Sequence, residues 1–396
     1  MNAMIYLDHA ATTAVRPEVL EAMIPYFKEN YGNPSSIYDF ASISKTAIRN
    51  ARAQVASLMG AQERDIYFTG GGSEADNWAI KCSAEAYAHR GRHIITSKIE
   101  HHAVLHTCQY LERHGFSVTY LTPDEMGLIT PRALRAALRP DTILVSIMTA
   151  NNEIGTIEPI RELGLICRQQ QILFHTDAVQ ALGQIPLDVD RMNVDLLSAS
   201  AHKLMGPKGV GCLYIRPGVT IGPLIHGGAQ ERHRRAGTEN VPGIVGFGKA
   251  AQLAAADMDT RTRRERELRD YFIRSVLARI PYCRLNGSPS RRLPGNVNFS
   301  FSFVEGESLL IMLDMEGICA SSGSACTSGS VDPSHVLTAI GLPEEAARGS
   351  IRFTLGEDNT REEIDFVVSR LEAIISRLRS MSPAYAQRQS APKSAE

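Results

Sequence analysis

A chain of 396 residues is longer than one compact core usually organises, so two domains are expected. With 43% hydrophobic and 21% charged residues and a formal net charge of -1, the composition is that of a soluble globular protein, and it excludes wholesale disorder and an overall basic field for nucleic acid or anionic lipid. No run approaches the roughly 18 apolar residues of a membrane span, and the start, MNAMIYLDHAATT, has no basic region ahead of an apolar stretch. A cytoplasmic protein is expected.

In chain order, Ile48, Ala51, Val55 and Leu58 share one helical face within about 44–59. DIYFT then reads as a strand, GGGSEADNWAIKCSAEAYAH as a turn running into a helix, and HIITS as the next strand. SVTYL, TILVSIM, ILFHTD and DLLSAS follow as short apolar or β-branched runs, with helical segments between several of them. That alternation predicts βα units feeding a mainly parallel sheet. At Asp257 the composition shifts to DMDTRTRRERELRDYFIRSVLARI, the solvated face of a helix that carries Leu268, Phe272, Val276 and Ile280 inward. The domain change is placed there. Strands around NVNFSFSF, a helix at ESLLIMLDMEG and a last helix with Ile364, Val367, Leu371, Ile374 and Leu378 predict a smaller α+β domain. The expected division is 15–258 for the large domain, 1–14 with 259–381 for the small one, and a loose polar tail at 382–396.

Seven cysteines are too few for a disulfide framework, and no pair has C-x-x-C spacing. Cys82, Cys108, Cys167 and Cys212 lie in apolar contexts, where cysteine acts as a small hydrophobe. Cys326, in SSGSACTSGS, has no large apolar neighbour in sequence to enclose it.

Ligands of open α/β sheets collect beyond the carboxyl ends of the strands. There this sequence places Gly70–Gly72, Ser73 and Glu74 after DIYFT; Asn151 and Asn152 after TILVSIM; Asp177 and Gln180 after ILFHT; and Ser200, His202 and Lys203 after DLLSA. Glycines leading into a helix let backbone N–H groups approach an anion; Ser73 could cap that helix or donate to a phosphate. Neither a P-loop nor a G-x-G-x-x-G spacing is present. Asp177 could cap a helix or pair with a buried cation such as a protonated ring nitrogen. Lys203, before MGPKGVG, could be a solvated loop lysine or a sequestered amine able to form a Schiff base. Anion cradle, carboxylate and amine together match the phosphate, pyridinium and aldehyde of pyridoxal phosphate. His102 and His106 stand four apart, as helical metal ligands can, but no H-E-x-x-H occurs. His101 suits a flat contact with a cofactor ring.

These segments make the chain similar to the NifS/IscS-type cysteine desulfurases, of the fold-type I, class V aminotransferase-like pyridoxal-phosphate enzymes. The resemblance is carried by YLDHAATT, NPSS, FTGGGSEADN, EHHAVLHTC, NNEIG, HTDAVQ, SAHKLMGPKGVG, GGAQERHRRAGTEN, GSACTSGS and SIRFTLG, nearly the whole chain apart from the tail. It implies a large domain with a mainly parallel seven-stranded-type sheet between helices, beside a smaller α+β domain carrying the catalytic cysteine loop. It implies Lys203 in a Schiff base with the cofactor, later moving a proton at the substrate α-carbon. Asp177 would keep the ring nitrogen protonated, and His101 would stack on the ring and help proton transfer. Asn152 and Gln180 would bond the ring hydroxyl side, with Asn152 also near substrate. Gly72, Ser73, Ser200 and His202 would hold the phosphate, joined by Thr238 from the other subunit of a homodimer. Arg352 would bind the carboxylate of L-cysteine. Cys326 would attack the substrate sulfur, release alanine and pass the persulfide to a sulfur acceptor or iron–sulfur scaffold, with Cys326 reaching metal through a transient iron–sulfur cluster shared with that partner. The sequence departs from the pattern at Ser73, where the family often has threonine, at Tyr38, where many members carry histidine, and in the tail after RLRSMSP. Rival readings are an aminotransferase or selenocysteine lyase of the same fold, a metal-dependent hydrolase using His101, His102 and His106, and a sulfur carrier that binds no cofactor.

Overall fold

The computed structural model describes residues 4–322 and 333–390; Cys326 lies outside the described residues. β-branched and aliphatic runs form a seven-stranded sheet from β2 (Ile66–Thr69), β3 (His93–Ser97), β4 (Ser117–Leu121), β5 (Thr142–Ser146), β6 (Leu173–Asp177), β7 (Leu196–Ser200) and β8 (Gly211–Ile215). Their order is β2-β8-β7-β6-β5-β3-β4. Every pairing is parallel except those of β8, which runs antiparallel to β2 and β7. Six of the strands are buried on both faces, as a helix-covered sheet requires, whereas edge strand β4 begins at an exposed Ser117. The GCLYI run of β8 is not among the strands expected from the sequence.

Helix Asp39–Leu58 buries Ala41, Ala47, Ile48, Ala51, Val55 and Leu58. It lies so close to helix Val241–Arg279 that a Cβ at Gly248 would fall 2.5 Å from Ala51 Cα. That second helix runs through the expected domain boundary without a break. Its far end puts Phe272, Val276 and the following Ile280 into the smaller core, as expected. The charge run, however, is not simply solvated: Arg261, Glu265 and Arg269 are buried. Arg261 pairs with Glu265 at 3.3 Å and Asp257 at 3.1 Å, and Arg269 donates to Leu293 O at 3.0 Å. The charges are inside because they bind each other and carbonyls of the adjoining chain.

The smaller core is covered by an antiparallel sheet of β9 (Cys283–Leu285), β10 (Asn296–Phe301) and β12 (Ser350–Thr354), in the order β12-β10-β9. The N-terminal strand β1 (Ile5–Tyr6) pairs in parallel with β11 (Ile318–Cys319). Helix Arg361–Ser380 starts at a capping box between Thr360 and Glu363 and buries Ile364, Val367, Leu371 and Ile374. The expected loose tail instead carries helix Pro383–Ser390, because Tyr385 finds ring partners in Phe303 at 5.5 Å and Tyr282 at 6.2 Å. Among the described residues, no helix is long and apolar enough to cross a membrane.

Candidate active site

The carboxyl ends of β2, β3, β5, β6 and β7 open on one cavity of about 450 Å³. Its walls include Gly72, Ser73, His101, Asn152, Asp177, Gln180, Ser200, His202, Lys203 and Arg352, so every residue that the resemblance assigns to the site except Thr238 and Cys326 is gathered there. Asp8, Asp76, Met148 and Val179 also line it and were not singled out from the sequence.

The glycine turn enters helix Gly72–Tyr87, whose first turn faces the cavity. A Cβ at Gly72 would meet Val179 Cγ2 at 2.6 Å, and one at Gly211 would meet the Gly71 backbone at 2.6 Å, so both positions keep this approach open. Ser73 does not cap the helix: the cap is Gly71, with no side-chain bond, and Ser73 stands inside the first turn. Glu74 would repel an anion here, but Arg235 holds it at 2.9 Å.

Lys203 ends a 3-10 turn after β7. Its amine donates to Ala10 O and to Ala11 O, the latter at 2.7 Å, which brings it against the N-terminal segment. Gln180 Nε2 also donates to Ala10 O, at 3.0 Å. Asp177 Oδ1 accepts from Val179 N at 2.8 Å, capping a turn rather than a helix. Burial pushes its carboxyl up, against the opposing pull of that N–H and of Lys203. His101 is the N-cap of helix His102–Glu112, with Nδ1 accepting from Ala103 N at 3.1 Å. Burial and then Lys203 depress its basicity, so it presents a neutral ring with the proton on Nε2. His202, bonded through Nδ1 to Thr12 Oγ1 at 3.1 Å, is pushed down to about 4 by burial and the neighbouring lysines.

Arg352 reaches in from β12 of the three-stranded sheet. Its NH2 pairs with Asp8 at 2.8 Å, its NH1 donates to Asn152 O at 3.2 Å, and its buried Nε has no partner among the described residues. Asn151 braces the loop instead of facing the cavity, since Nδ2 donates to Ile99 O while Oδ1 accepts from Glu153 N and Ile154 N. Thr238 lies apart, in a cavity of about 60 Å³ with Gly70 and Arg235. The histidines do approach one another, with the rings of His102 and His106 at 5.0 Å, yet among the described residues no group of three ligands could hold a metal.

The model of the family described as aminotransferase class-V matches residues 5–367. The chain belongs to this family. That membership implies pyridoxal phosphate as the cofactor. The residues present fit it: an amine for the aldehyde, a buried carboxylate for the ring nitrogen, a flat neutral imidazole, and a helix start where even a Cβ would intrude. A curated relative, the cysteine desulfurase IscS of Methanosarcina thermophila, is 58% identical over 96% of this chain and 94% of its own. A solved NifS-like protein superposes with a TM-score of 0.89 at 39% identity, covering 94% of this chain and all of the other. A structure of SspA in complex with cysteine gives 0.80 at 39% identity, covering 90% of this chain and 100% of that one.

Cys82, Cys108, Cys167 and Cys212 are buried as expected, and burial raises all four thiols. Cys283 and Cys319 are half-buried at strand ends.

Proposed function

We propose that the protein is a cysteine desulfurase, taking sulfur from L-cysteine to give L-alanine and a persulfide on Cys326. The observation that carries this reading is the convergence of Lys203, Asp177, the Gly72 helix start and Arg352 on one cavity. Pyridoxal phosphate, when bound, supplies a conjugated ring that accepts electrons from the substrate's α-carbon. The chain's own groups do the rest. Gly72, Ser73, Ser200 and His202 hold the phosphate, joined by Thr238 of a second subunit. Asp177 keeps the ring nitrogen protonated, because a buried carboxylate favours a cation beside it. Asn152 and Gln180 bond the ring hydroxyl side. Lys203 Nζ is the point of covalent attachment and then moves the proton at the substrate's α-carbon. Arg352 takes the substrate carboxylate. Cys326 Sγ attacks the substrate sulfur; the S–S bond forms as the C–S bond breaks, and the carbon fragment gains a proton and leaves as alanine.

The protein works as a cytoplasmic homodimer with shared sites and hands its sulfur to an acceptor for iron–sulfur cluster assembly or thiolation. Cys326 would meet metal there only through its persulfide. The large domain is residues 15–258, the small domain 1–14 with 259–381, and 382–396 an appendage. The test is to incubate the cofactor-loaded protein with L-cysteine and an added dithiol, which supplies the two electrons that free sulfide from the persulfide, and measure alanine and sulfide; a separate sample without substrate is reduced with borohydride and its labelled peptide mapped. Stoichiometric alanine and sulfide, with the cofactor on Lys203, is the expected result. A label on Lys208, or amino transfer without sulfide, would overturn the reading.

A further inference from the structure

Beneath the cavity, helix Gly72–Tyr87 and strands β6 and β7 enclose a polar cluster that the proposed chemistry leaves unused. Asp76 is 1% exposed, and its Oδ1 has no hydrogen-bond partner among the described residues. His175 Nε2 stands 3.7 Å from that oxygen. This is not an ion pair, because total burial holds His175 neutral, down to about 3. The imidazole is engaged elsewhere, with Ser146 Oγ at 2.8 Å and Ser198 Oγ at 3.0 Å. Asp177 lines the same cavity as Asp76, and Glu100 is buried nearby with its carboxylate bonded to Ser97 Oγ and Met148 N. Lys203 also faces the cavity, and its pull acts on Asp177.

An ionised carboxylate that is fully buried, lacks a partner on one oxygen and faces a second carboxylate is among the costliest arrangements in a protein; taking up a proton removes the charge. We propose that Asp76 is a positioning residue for the proposed cofactor: a neutral carboxylic acid that leaves Asp177 as the one charge meeting the ring nitrogen. Burial first, and the Asp177 charge second, raise its carboxyl well above the usual carboxylate range, against the opposing pull of a hydrogen bond from the Ser198 hydroxyl. With His175 and Asp76 both neutral, one carboxylate meets one ring cation. Two charges there would bind the proton too tightly and load the empty site with repulsion. The inference rests on the cofactor reading for its purpose, but the protonation state belongs to the protein itself.

The experiment uses full-length protein, with cofactor and after its removal, containing aspartate carbon-13 labelled at the side-chain carboxyl. Infrared difference spectra at pH 7.5 should show a protonated carboxyl band that persists in Asp177→Asn and vanishes in Asp76→Asn. The label is silent for Glu100. In the loaded protein, the pH midpoint of the cofactor's visible absorption should move by less than about 0.3 unit in Asp76→Asn, since one neutral group replaces another. Loss of a real charge would move it by about one unit, a tenfold change in proton affinity. Absence of the band, or a shift of a unit, overturns the proposal. Should Asp76→Asn fail to fold, Asp76→Ser serves for the assignment. A protein that shows the band but binds no cofactor would refute the functional reading and leave the protonation state standing.

Discussion

Replacing Arg352 by glutamine removes the charge that the substrate carboxylate would meet, and the structure sets the size of the effect. Arg352 is 3% exposed, and its guanidinium is pinned by Asp8 at 2.8 Å and Asn152 O at 3.2 Å, which leaves Nε without a partner among the described residues. A carboxylate arriving on that edge gains charge-assisted hydrogen bonds of about 1.5–3 kcal/mol each. Two such bonds come to about 3–6 kcal/mol. Water entering the vacated edge offsets part of this, so kcat/KM in Arg352→Gln should fall about 10²- to 10³-fold. Most of the loss should appear in KM, because the carboxylate stays bound throughout and takes no part in bond breaking. Steady-state sulfide release against L-cysteine concentration measures it. Arg352→Gln also strands Asp8, so its thermal stability will drop; Asp8→Asn/Arg352→Gln should recover stability but none of the KM. A change in kcat/KM below threefold, or recovery of KM in the double variant, would refute the assignment of Arg352 to the substrate.

Three other outcomes are expected. Cys326→Ala should bind cofactor and L-cysteine, seen as a change in the visible spectrum, yet release at most about a hundredth of the wild-type sulfide; equal turnover, or mass spectrometry placing an added sulfur on the half-buried Cys319, would reassign the acceptor. Neither Lys203→Ala nor Thr238→Ala homodimers should be active, whereas mixed subunits should regain one intact site in some heterodimers; no recovery after confirmed subunit exchange would count against a shared site. Glu158, with Oε2 bonded to Ile129 N at 2.8 Å and Oε1 buried without a partner among the described residues, is pushed up to about 8 by burial. Between the unfolded value near 4.5 and that folded value, the folded state binds the extra proton, so stability falls as pH rises through the window, by at most about 1.4 kcal/mol per unit. Glu158→Gln should therefore be more stable than wild type in urea at pH 8 and equal to it near pH 5, and the same difference at both pH values would refute the linkage.

The sequence was most legible where periodicity and burial agree. HIITS, SVTYL and the core of TILVSIM are strands at or within a residue or two of the expected bounds, because β-branched runs fit a doubly covered sheet. Strand β8 has equally suitable residues but escapes the pattern. It follows its neighbour in the sheet after a ten-residue loop whose one helical element is the 3-10 turn Ala201–Lys203, so the α-helix that separates most of the other strands is absent. The charge run around Asp257 misleads in the other direction: nothing in RTRRERELRD reveals that Arg261 and Glu265 bond each other in the interior. In the site, residues that end strands could be found by position alone, which is how Asp177 and Lys203 emerge. Asp8 and Asp76 could not. One lies on an irregular N-terminal segment joined to β12 across more than three hundred residues, and the other faces inward from a helix, where its neighbours in space are Ser198 and His175.

The residues assigned to the proposed ligands each carry a cost when those ligands are absent. Asp177 is a buried carboxylate whose charge burial opposes, Arg352 keeps an unpartnered Nε among the described residues, and Gly72 holds a helix start at a surface where a single Cβ would collide. The Asp177 charge does not stabilise the fold by itself; a protein selected for stability alone would place an amide there. Each becomes favourable when a cation, a carboxylate and an anion arrive. Binding energy at this site is therefore folding energy deferred until the cofactor is present, and its contribution grows with the logarithm of ligand concentration over Kd. The same argument explains why Asp76 is better neutral than charged. One unmatched carboxylate is balanced by one ring cation, whereas a second would remain unmatched in both states.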